Sequence, residues 1–223
     1  MDKGILHCAE VQTFEELCCA KYRDIEKVER RLESIYSAFE PDLFVIKKAY
    51  RGFLEGMIKK KDKKRVKIVV GIKSFDSLCS KVIERQKKLS EIKDLVRATI
   101  LLSSDDEVKK LYRDITRKKL EVIRCQHKHK GGDSLFGYYG AYHIIFFYRG
   151  LNVELQIMTR RLWSYKEVAH DLYNRYRDEE SSNIDKSDLQ CCKFIFSKGN
   201  QPKHQYKRSE VRQNYRRLIS RLK

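Results

Sequence analysis

Two segments on either side of Arg149-Gly150 constrain the fold more than any other feature of this sequence. Residues 141–148 are rich in β-branched and aromatic side chains, and residues 151–157 alternate apolar with polar side chains; both patterns are typical of β-strands. A two-residue connection that contains glycine predicts a tight β-hairpin between them. Because such a turn fixes the register, Tyr148 should face Leu151, and the pairing should continue outward from there.

The predicted register places three polar side chains on one face of the hairpin. His143 lies opposite Gln156, and Glu154 shares their face because side chains alternate with a period of two. The other face is apolar, with Phe146 and Val153 among its residues. Polar groups on a buried strand face are costly without partners. This face is therefore either the wall of a site or a solvent-exposed surface.

The rest of the chain alternates between strand-like and helical patterns. This alternation predicts an α/β or α+β sheet with helices packed on it. The strand-like segments are 66–72, 95–102 and 120–126. The helical segments are 76–89, 103–117, 160–177 and 209–223.

Residues 10–60 carry a helical periodicity that Pro41-Asp42 interrupts. Proline lacks the N–H that a helix interior needs, so we expect two helices here, the second with Phe44 on its inward face. The basic run 59–65 that follows is either a solvated loop or a patch that contacts phosphates. We expect three parts in the chain: a helical segment over 1–60, a core over 61–177, and a polar linker with a basic helix over 178–223.

The charge of the chain indicates its class of partner. Lys and Arg number 49 against 31 Asp and Glu, a formal net charge of +18 at pH 7. Such an excess favours polyanions. No apolar run approaches the roughly 20 residues that span a bilayer, and the first residues lack the apolar core of a signal peptide. The seven cysteines form no CxxC pair, which argues against a zinc ribbon or a disulfide framework. We expect a cytoplasmic protein without membrane association.

A candidate phosphate site lies where the strand-like segment 66–72 gives way to a helix. Lys73, Ser74, Ser77 and Lys81 surround this strand-to-helix turn. Lysine charges and the N–H groups of a helix start are what a polyphosphate binds. Each residue also has a simpler interpretation, since serines cap helices and lysines are commonly solvated.

A candidate metal site follows at the start of the next strand. Asp94 precedes the segment 95–102 and could lie beside Glu154 on a neighbouring strand. Two carboxylates at adjacent strands are a common way to hold Mg²⁺ against nucleotide phosphates. A lone Asp in this position can also be a simple cap.

Five sequence blocks occur in an order that resembles the synthetase domain of the RelA/SpoT family, over about residues 60–177. The resemblance implies a nucleotidyltransferase-like fold, α+β with a mixed sheet flanked by N- and C-terminal helices, as in small alarmone synthetases. It also implies transfer of pyrophosphate from ATP to a ribose 3′-hydroxyl. The blocks are IKSFDSLCSK (72–81), DLVRATIL (94–101), YYGAYH (138–143), VELQIMT (153–159) and AHDLYNRY (169–176).

The resemblance also implies roles for individual residues. Those matching the catalytic and Mg²⁺-binding positions are Glu154 and Asp94, with Gln156 and His143 beside them. Those matching the ATP-phosphate positions are Lys73, Ser74, Ser77 and Lys81. Those matching the acceptor-binding positions are Tyr139, with Tyr138 next to it, and His170 and Tyr173 on the helix that closes the site.

The chain departs from the family pattern at several positions. Gly71 stands where the family has an Arg of the adenine clamp, so Arg65 or Arg97 is expected to substitute. Three further positions have also changed: Thr99, Met158 and Ala169. The guanosine-recognising loop is replaced by a basic strip over 124–132, which contributes His127, Lys128 and Lys130 as expected acceptor-binding residues.

Two acceptors and one inactive alternative follow from these observations. The basic strip and the net charge favour the 3′-CCA end of tRNA, as in the toxic subgroup of small alarmone synthetases, which implies an antitoxin partner. GDP or GTP, with an alarmone as product, is the alternative acceptor. An inactive RNA-binding module on the same fold is the third interpretation.

Overall fold

The computed structural model describes residues 25–58, 65–84, 87–118, 120–128 and 141–167, together with 189, 190, 193, 194, 213 and 216. Among these residues, five strands form one sheet in the order β1-β2-β5-β4-β3. The fold is mixed α+β. The elements are α1 (Ile25–Met57), β1 (Lys67–Ile72), α2 (Phe75–Cys79), a π-helical turn (Ser80–Glu84), a 3₁₀ turn (Leu89–Glu91), β2 (Val96–Leu102), α3 (Asp105–Thr116), β3 (Val122–Lys128), β4 (Ala141–Tyr148) and β5 (Leu151–Thr159).

The described residues fall into two compact units. The first contains those up to Ile100, with 115–125 and 144–156, and it holds α1, β1, α2 and most of the hairpin. The second contains 101–114, 126–143 and the described residues from Ile157 onward. Within the second unit, the start of α3 forms a capping box: Glu107 N–H donates to the Ser104 hydroxyl, and a Glu107 oxygen accepts from the Ser104 N–H.

The prediction that Pro41 separates two helices is wrong. The single helix α1 runs through Pro41 without interruption. A proline inside a helix costs about 3 kcal/mol, but Pro41 and Ser37, whose carbonyl loses its partner, are both exposed and open to water. The apolar residues on the opposite side of the helix stabilise it by about 1.5–3 kcal/mol each. They are Val28, Leu32, Ile35, Phe39, Leu43, Ile46, Tyr50 and Leu54.

The continuous helix also changes which residues face inward. Leu43 and Ile46 are buried, whereas Phe44, expected on the inward face, is 54% exposed. A second helix that began after Pro41 could have turned a different side inward. In an unbroken helix, the side that residues 28–39 bury also fixes which later residues are buried. Within the first unit, this buried face of α1 packs on β1.

The hairpin prediction is confirmed. Arg149 and Gly150 form the turn, with φ angles of 48° and 82°, as a type I′ turn requires at both central positions. Burial alternates along most of β4 as the register demands: Ile144 and Phe146 are buried, whereas Phe147 is exposed. The turn geometry matches the right-handed twist of the strands, which is why such a short connection selects one register.

Other boundaries differ in places from the sequence predictions. The helix expected over 76–89 is α2 followed by the π-helical turn, and it ends at Glu84. β3 extends to Lys128, so the beginning of the basic strip is strand rather than loop. Residues 160–167 are helical as predicted. Predicted helices over 10–24 and 168–177 lie outside the described residues, as does most of 209–223. None of the helices in the described part of the chain has the length and apolar character needed to span a bilayer.

Candidate active site

The first compact unit contains a cavity of about 500 Å³ that brings together charged residues from separate elements. Asp94 and Glu154, the two predicted metal ligands, both line it. Such a volume lies within the usual range of small-ligand sites. The lining residues are Lys81, Lys87, Glu91, Ile92, Lys93, Asp94, Arg124, Ile145 and Glu154.

Hairpin geometry explains why Glu154 reaches this cavity. Ile145 and Glu154 face each other across the β4–β5 pair and both line the cavity. On the opposite face, the Phe146 ring packs edge-to-face and the Tyr148 ring packs tilted against Tyr50 of α1, with ring centroids 5.8 and 5.5 Å away. The period-two alternation therefore separates an apolar face under α1 from a face that carries the carboxylate.

Two further contacts hold the Glu154 segment in place. The Gln156 side-chain amide donates a hydrogen bond to Glu154 Oε1 at 3.0 Å, and Gln156 is only 2% exposed. On the α1 side, the Tyr50 hydroxyl donates to the Glu154 carbonyl oxygen at 3.4 Å. Burial, together with the nearby Glu154, raises the pKa of Tyr50 well above its ordinary value. The tyrosine therefore stays a neutral donor at neutral pH.

Asp94 forms a compact ion-pair triad with the two predicted phosphate-binding lysines. Lys73 Nζ lies 2.9 Å from Asp94 Oδ2. Lys81 Nζ lies 2.9 Å from Oδ1 and 2.8 Å from Oδ2. The three side chains are 11%, 27% and 14% exposed for Lys73, Lys81 and Asp94. Among the described residues, these two lysines are the ion-pair partners of Asp94.

The triad contains one anion and two cations, and the pKa values reflect this imbalance. Burial alone would raise the pKa of Asp94, but the two ammonium groups outweigh it, so the pKa lies below its ordinary value. Burial lowers the pKa of Lys73, and Lys81 and Arg97 act in the same direction, against the opposing effect of Asp94. The two ammonium groups more than offset the cost of burying the Asp94 charge, whereas the shared carboxylate offsets the cost of burying the Lys73 charge only in part.

Backbone contacts position the Lys73 end of the triad. The Lys73 N–H donates to the Leu95 carbonyl at 2.8 Å, and the Tyr36 hydroxyl of α1 donates to the Lys73 carbonyl at 2.9 Å. The first bond ties the end of β1 to the residue after Asp94, and the second ties it to α1. Lys81 lies on the π-helical turn, an irregularity often found at functional sites.

The predicted serines lie beside this triad as a helix cap. The Ser74 hydroxyl accepts from the Ser77 N–H at 3.4 Å and donates to Ser77 Oγ at 3.0 Å. Arg97 is exposed on β2 and close enough to Lys73 to influence its pKa, and Arg65 is exposed just before β1. That either arginine contacts the adenine stays a prediction. At Gly71, a Cβ would meet no atom within 4 Å.

The donor set fits a divalent cation that is held mainly by a nucleotide. Asp94 and Glu154 both line one cavity. Within the described residues, no group of three His, Cys, Asp or Glu side chains converges. Mg²⁺ commonly binds through one or two carboxylates plus substrate phosphates and water. The residues present therefore suit a metal that a polyphosphate helps to bind.

Several predicted site residues cannot be placed at the cavity. His143 is half-buried on β4, in the second compact unit, so its approach to Glu154 stays a prediction. His127 and Lys128 belong to β3 by their backbone, and their side chains lie outside the description. The remaining acceptor-binding candidates lie outside the described residues. They are Tyr138, Tyr139, Lys130, His170 and Tyr173.

Sequence reasoning missed three charged residues of the cavity wall. Lys87, Glu91 and Lys93 lie just before Asp94 in the chain, and their closeness to Asp94 in sequence was an available signal. Arg124, the first residue of the predicted basic strip, lines the cavity from β3, whereas the acceptor-binding residues expected from that strip were His127, Lys128 and Lys130. The position of Arg124 depends on how β3 pairs at the edge of the described sheet.

Comparison with known proteins shows which family the middle part of the chain resembles. Residues 71–180 match the family model described as the region found in RelA / SpoT proteins. This part of the chain is similar to the RelA/SpoT region. It includes the triad, the cavity carboxylates and the hairpin. No curated protein sequence matches the chain.

Solved structures of this type share the fold. A GTP pyrophosphokinase family protein from Streptococcus pneumoniae is 16% identical to this chain, with a TM-score of 0.59. The aligned region covers 82% of this chain and 95% of the Streptococcus protein. Small alarmone synthetase 1 from Bacillus subtilis is 16% identical with a TM-score of 0.58, covering 83% and 97%. The same enzyme bound to its product pppGpp is 17% identical with a TM-score of 0.59, covering 81% and 95%. The RelA/SpoT region and the shared fold together support a pyrophosphokinase.

Proposed function

We propose that this chain transfers the β,γ-pyrophosphate of ATP to a ribose 3′-hydroxyl, and that its acceptor is the 3′-CCA end of tRNA. The observation that supports it most is the meeting of Asp94 and Glu154 in one cavity that lysines and an arginine also line. Carboxylates for a proton and a metal, with cations for phosphates, are what phosphoryl-type transfer needs.

Glu154 would act as the general base of this reaction. A ribose hydroxyl is a weak acid, so a nearby carboxylate must accept its proton as the oxygen attacks. The 3′-oxygen forms a bond to the β-phosphorus of ATP, the bond from that phosphorus to the α–β bridging oxygen breaks, and AMP leaves. Gln156 and Tyr50 would keep Glu154 in position through the hydrogen bonds that they donate.

Lys73 and Lys81 would neutralise the transferred group as its charge develops. Their ammonium groups lie together within hydrogen-bond reach of Asp94, and two cations at one point suit a polyphosphate. Asp94 would hold Mg²⁺. When bound, this metal would neutralise charge on the ATP phosphates.

The choice of tRNA rests on charge. The chain carries +18 overall, and four cationic residues line the cavity, against three acids. A mononucleotide needs only a few cations, whereas a long polyanion gains from an extended basic surface. Blocking the 3′-hydroxyl would prevent aminoacylation and stop translation, so growth arrest on expression and a neutralising partner protein belong to this proposal.

A guanine nucleotide is the second candidate acceptor. The fold likeness to the Bacillus subtilis enzyme bound to pppGpp is the observation in its favour. An inactive RNA-binding module is the third candidate, supported by the replacements at four family positions, which are Gly71, Thr99, Met158 and Ala169.

One assay separates the three candidates. The protein is incubated with γ-labelled ATP and, in separate reactions, with GDP, GTP, deacylated tRNA, or tRNA whose CCA end has been removed. We expect label in intact tRNA alone. Label in GDP or GTP would show that a guanine nucleotide, and not tRNA, is the acceptor. Label in no acceptor would support the inactive module.

A further inference from the structure

The ion-pair triad leaves Asp94 with no carboxylate oxygen free of lysine contact. Oδ1 accepts from Lys81, and Oδ2 lies within 2.9 Å of both Lys73 and Lys81. These contacts are in the distance range of strong charge-assisted hydrogen bonds. These contacts take three of the roughly four acceptor positions of the carboxylate, so a divalent cation that left both lysines in place would have to bind Oδ1 directly beside the Lys81 ammonium group.

The local charge also opposes a metal that arrives alone. One carboxylate faces two ammonium groups, so the triad carries one net positive charge. Arg97 lies close enough to lower the pKa of Lys73 and adds a further positive charge nearby. With each side chain less than a third exposed, solvent screens this repulsion only in part.

A polyphosphate removes both obstacles at once. Its oxygens are better partners for two lysines than one shared carboxylate is, because they offer several negative charges and acceptors. As the ammonium groups turn to the phosphates, Asp94 loses its partners and becomes able to bind a metal. Resting on the proposed function, we propose that Lys73 and Lys81 block the metal site of the ATP-free enzyme, so that the divalent cation enters with the nucleotide and not before it.

The cavity offers a matched control for this inference. Lys93 lines the same cavity and carries the same charge, but it is not among the ion-pair partners of Asp94. Removing Lys93 therefore changes the cavity's overall charge and leaves the triad intact. Removing Lys81 changes the charge equally and also uncovers Asp94.

The test is Mn²⁺ binding to the full chain without nucleotide, measured from the electron paramagnetic resonance signal of the free ion. Wild type, Lys81→Met, Lys73→Met/Lys81→Met and Lys93→Met are compared. We expect Lys81→Met to bind Mn²⁺ at least about tenfold more tightly than wild type, the size expected for one hydrogen bond to a charged group. Lys93→Met should change the affinity by much less. Adding Asp94→Asn to Lys81→Met should abolish the gain.

Wild-type protein that binds Mn²⁺ without nucleotide as tightly as Lys81→Met overturns the inference. So does an absence of binding in both lysine variants, since Asp94 would then not be a metal ligand. If the double variant does not fold by circular dichroism, Lys81→Met alone decides the question, because Lys81 is the more exposed lysine.

The labelled-ATP assay on wild type keeps this inference apart from the proposed function. If wild type transfers label to an acceptor but also binds Mn²⁺ without nucleotide as tightly as Lys81→Met, only the inference that the lysines block the metal site is refuted. An Asp94-dependent gain of Mn²⁺ binding in Lys81→Met, with no transfer to any acceptor, would refute only the proposed function.

Discussion

Glu154 is the residue where the contacts of the site converge. Its carboxylate accepts from Gln156, its backbone carbonyl accepts from Tyr50, and its side chain lines the cavity with Asp94. Strand alternation alone predicted that Glu154 and Gln156 share a face of the hairpin. Tyr50 was not predicted, because its contact joins residues 104 positions apart.

Glu154→Gln should abolish transfer while leaving stability unchanged. The amide cannot accept the ribose proton, and general base catalysis contributes about 10²–10⁴-fold. Initial rates with γ-labelled ATP measure the loss of transfer, and urea unfolding checks that the stability is unchanged. Glu121→Gln, at an exposed residue before β3, is the control. Activity of Glu154→Gln within a few-fold of wild type would contradict the assignment.

Asp94→Asn should reduce stability as well as activity. Removing the anion leaves Lys73 and Lys81 facing each other at a largely buried position, and breaking such a pair costs about 3 kcal/mol. Urea unfolding at pH 7 measures this loss, with exposed Asp42→Asn on α1 as the matched control. Equal unfolding midpoints for the two variants would contradict the importance of the triad.

The same residue gives the protein a defined acid dependence. The pKa of Asp94 is lower in the folded state than in the unfolded chain, so the unfolded state binds more protons in acid. Its contribution is present above the unfolded pKa, near 4, and is lost as pH falls through the folded pKa. Urea unfolding curves between about pH 5 and pH 2 should therefore show a smaller acid loss for Asp94→Asn than for wild type.

Gly71→Arg should lower the KM for ATP. A Cβ at this position would meet no atom within 4 Å, so there is space for an arginine side chain to begin. An arginine over an aromatic base contributes about 0.5–2 kcal/mol, which predicts a decrease of about two- to thirtyfold. Gly71→Gln, which is shorter and uncharged, is the control. An unchanged KM would indicate that Arg65 or Arg97 already fills this role.

At the scale of elements, α1 shows tertiary packing outweighing a local rule. The proline signal was correctly identified as unfavourable to a helix, but the apolar stripe continues across it with the same spacing. The hairpin is the opposite case: its turn residues, alternation and register all agree, and the structure follows them. Turn and helix-breaking residues therefore predict an element correctly when they agree with the pattern of apolar residues that the element buries.

Pro41→Ala should stabilise the protein. It restores an intrahelical hydrogen bond worth part of the roughly 3 kcal/mol proline penalty, offset by up to about 1 kcal/mol of added freedom in the unfolded chain. A net gain of about 2 kcal/mol in urea unfolding is expected. Asp42→Ala, at the next exposed position, controls for helix propensity alone. A loss of stability would show that the proline shapes α1 to fit the sheet.

At the scale of the whole molecule, the net charge of +18 predicts how the reaction responds to salt. Binding of a long polyanion releases counterions, so its affinity falls steeply with salt concentration. The KM for tRNA should rise at least about tenfold between 50 and 200 mM salt, while the KM for ATP changes less. A tRNA KM that is insensitive to salt would contradict the charge argument for this acceptor.

The amino-acid sequence was enough to predict the α+β class, the hairpin and its register, and Asp94, Glu154, Lys73 and Lys81 as candidate site residues. These predictions follow from turn chemistry and strand alternation, which act over a few neighbouring residues, and from the resemblance that the sequence blocks carry. The packing of distant segments was needed to establish that α1 is continuous, that Arg124 reaches the cavity, and that both lysines bind Asp94. Those outcomes depend on burial and on charges brought together from separate elements, where low screening makes a contact strong and where no local pattern specifies the partner.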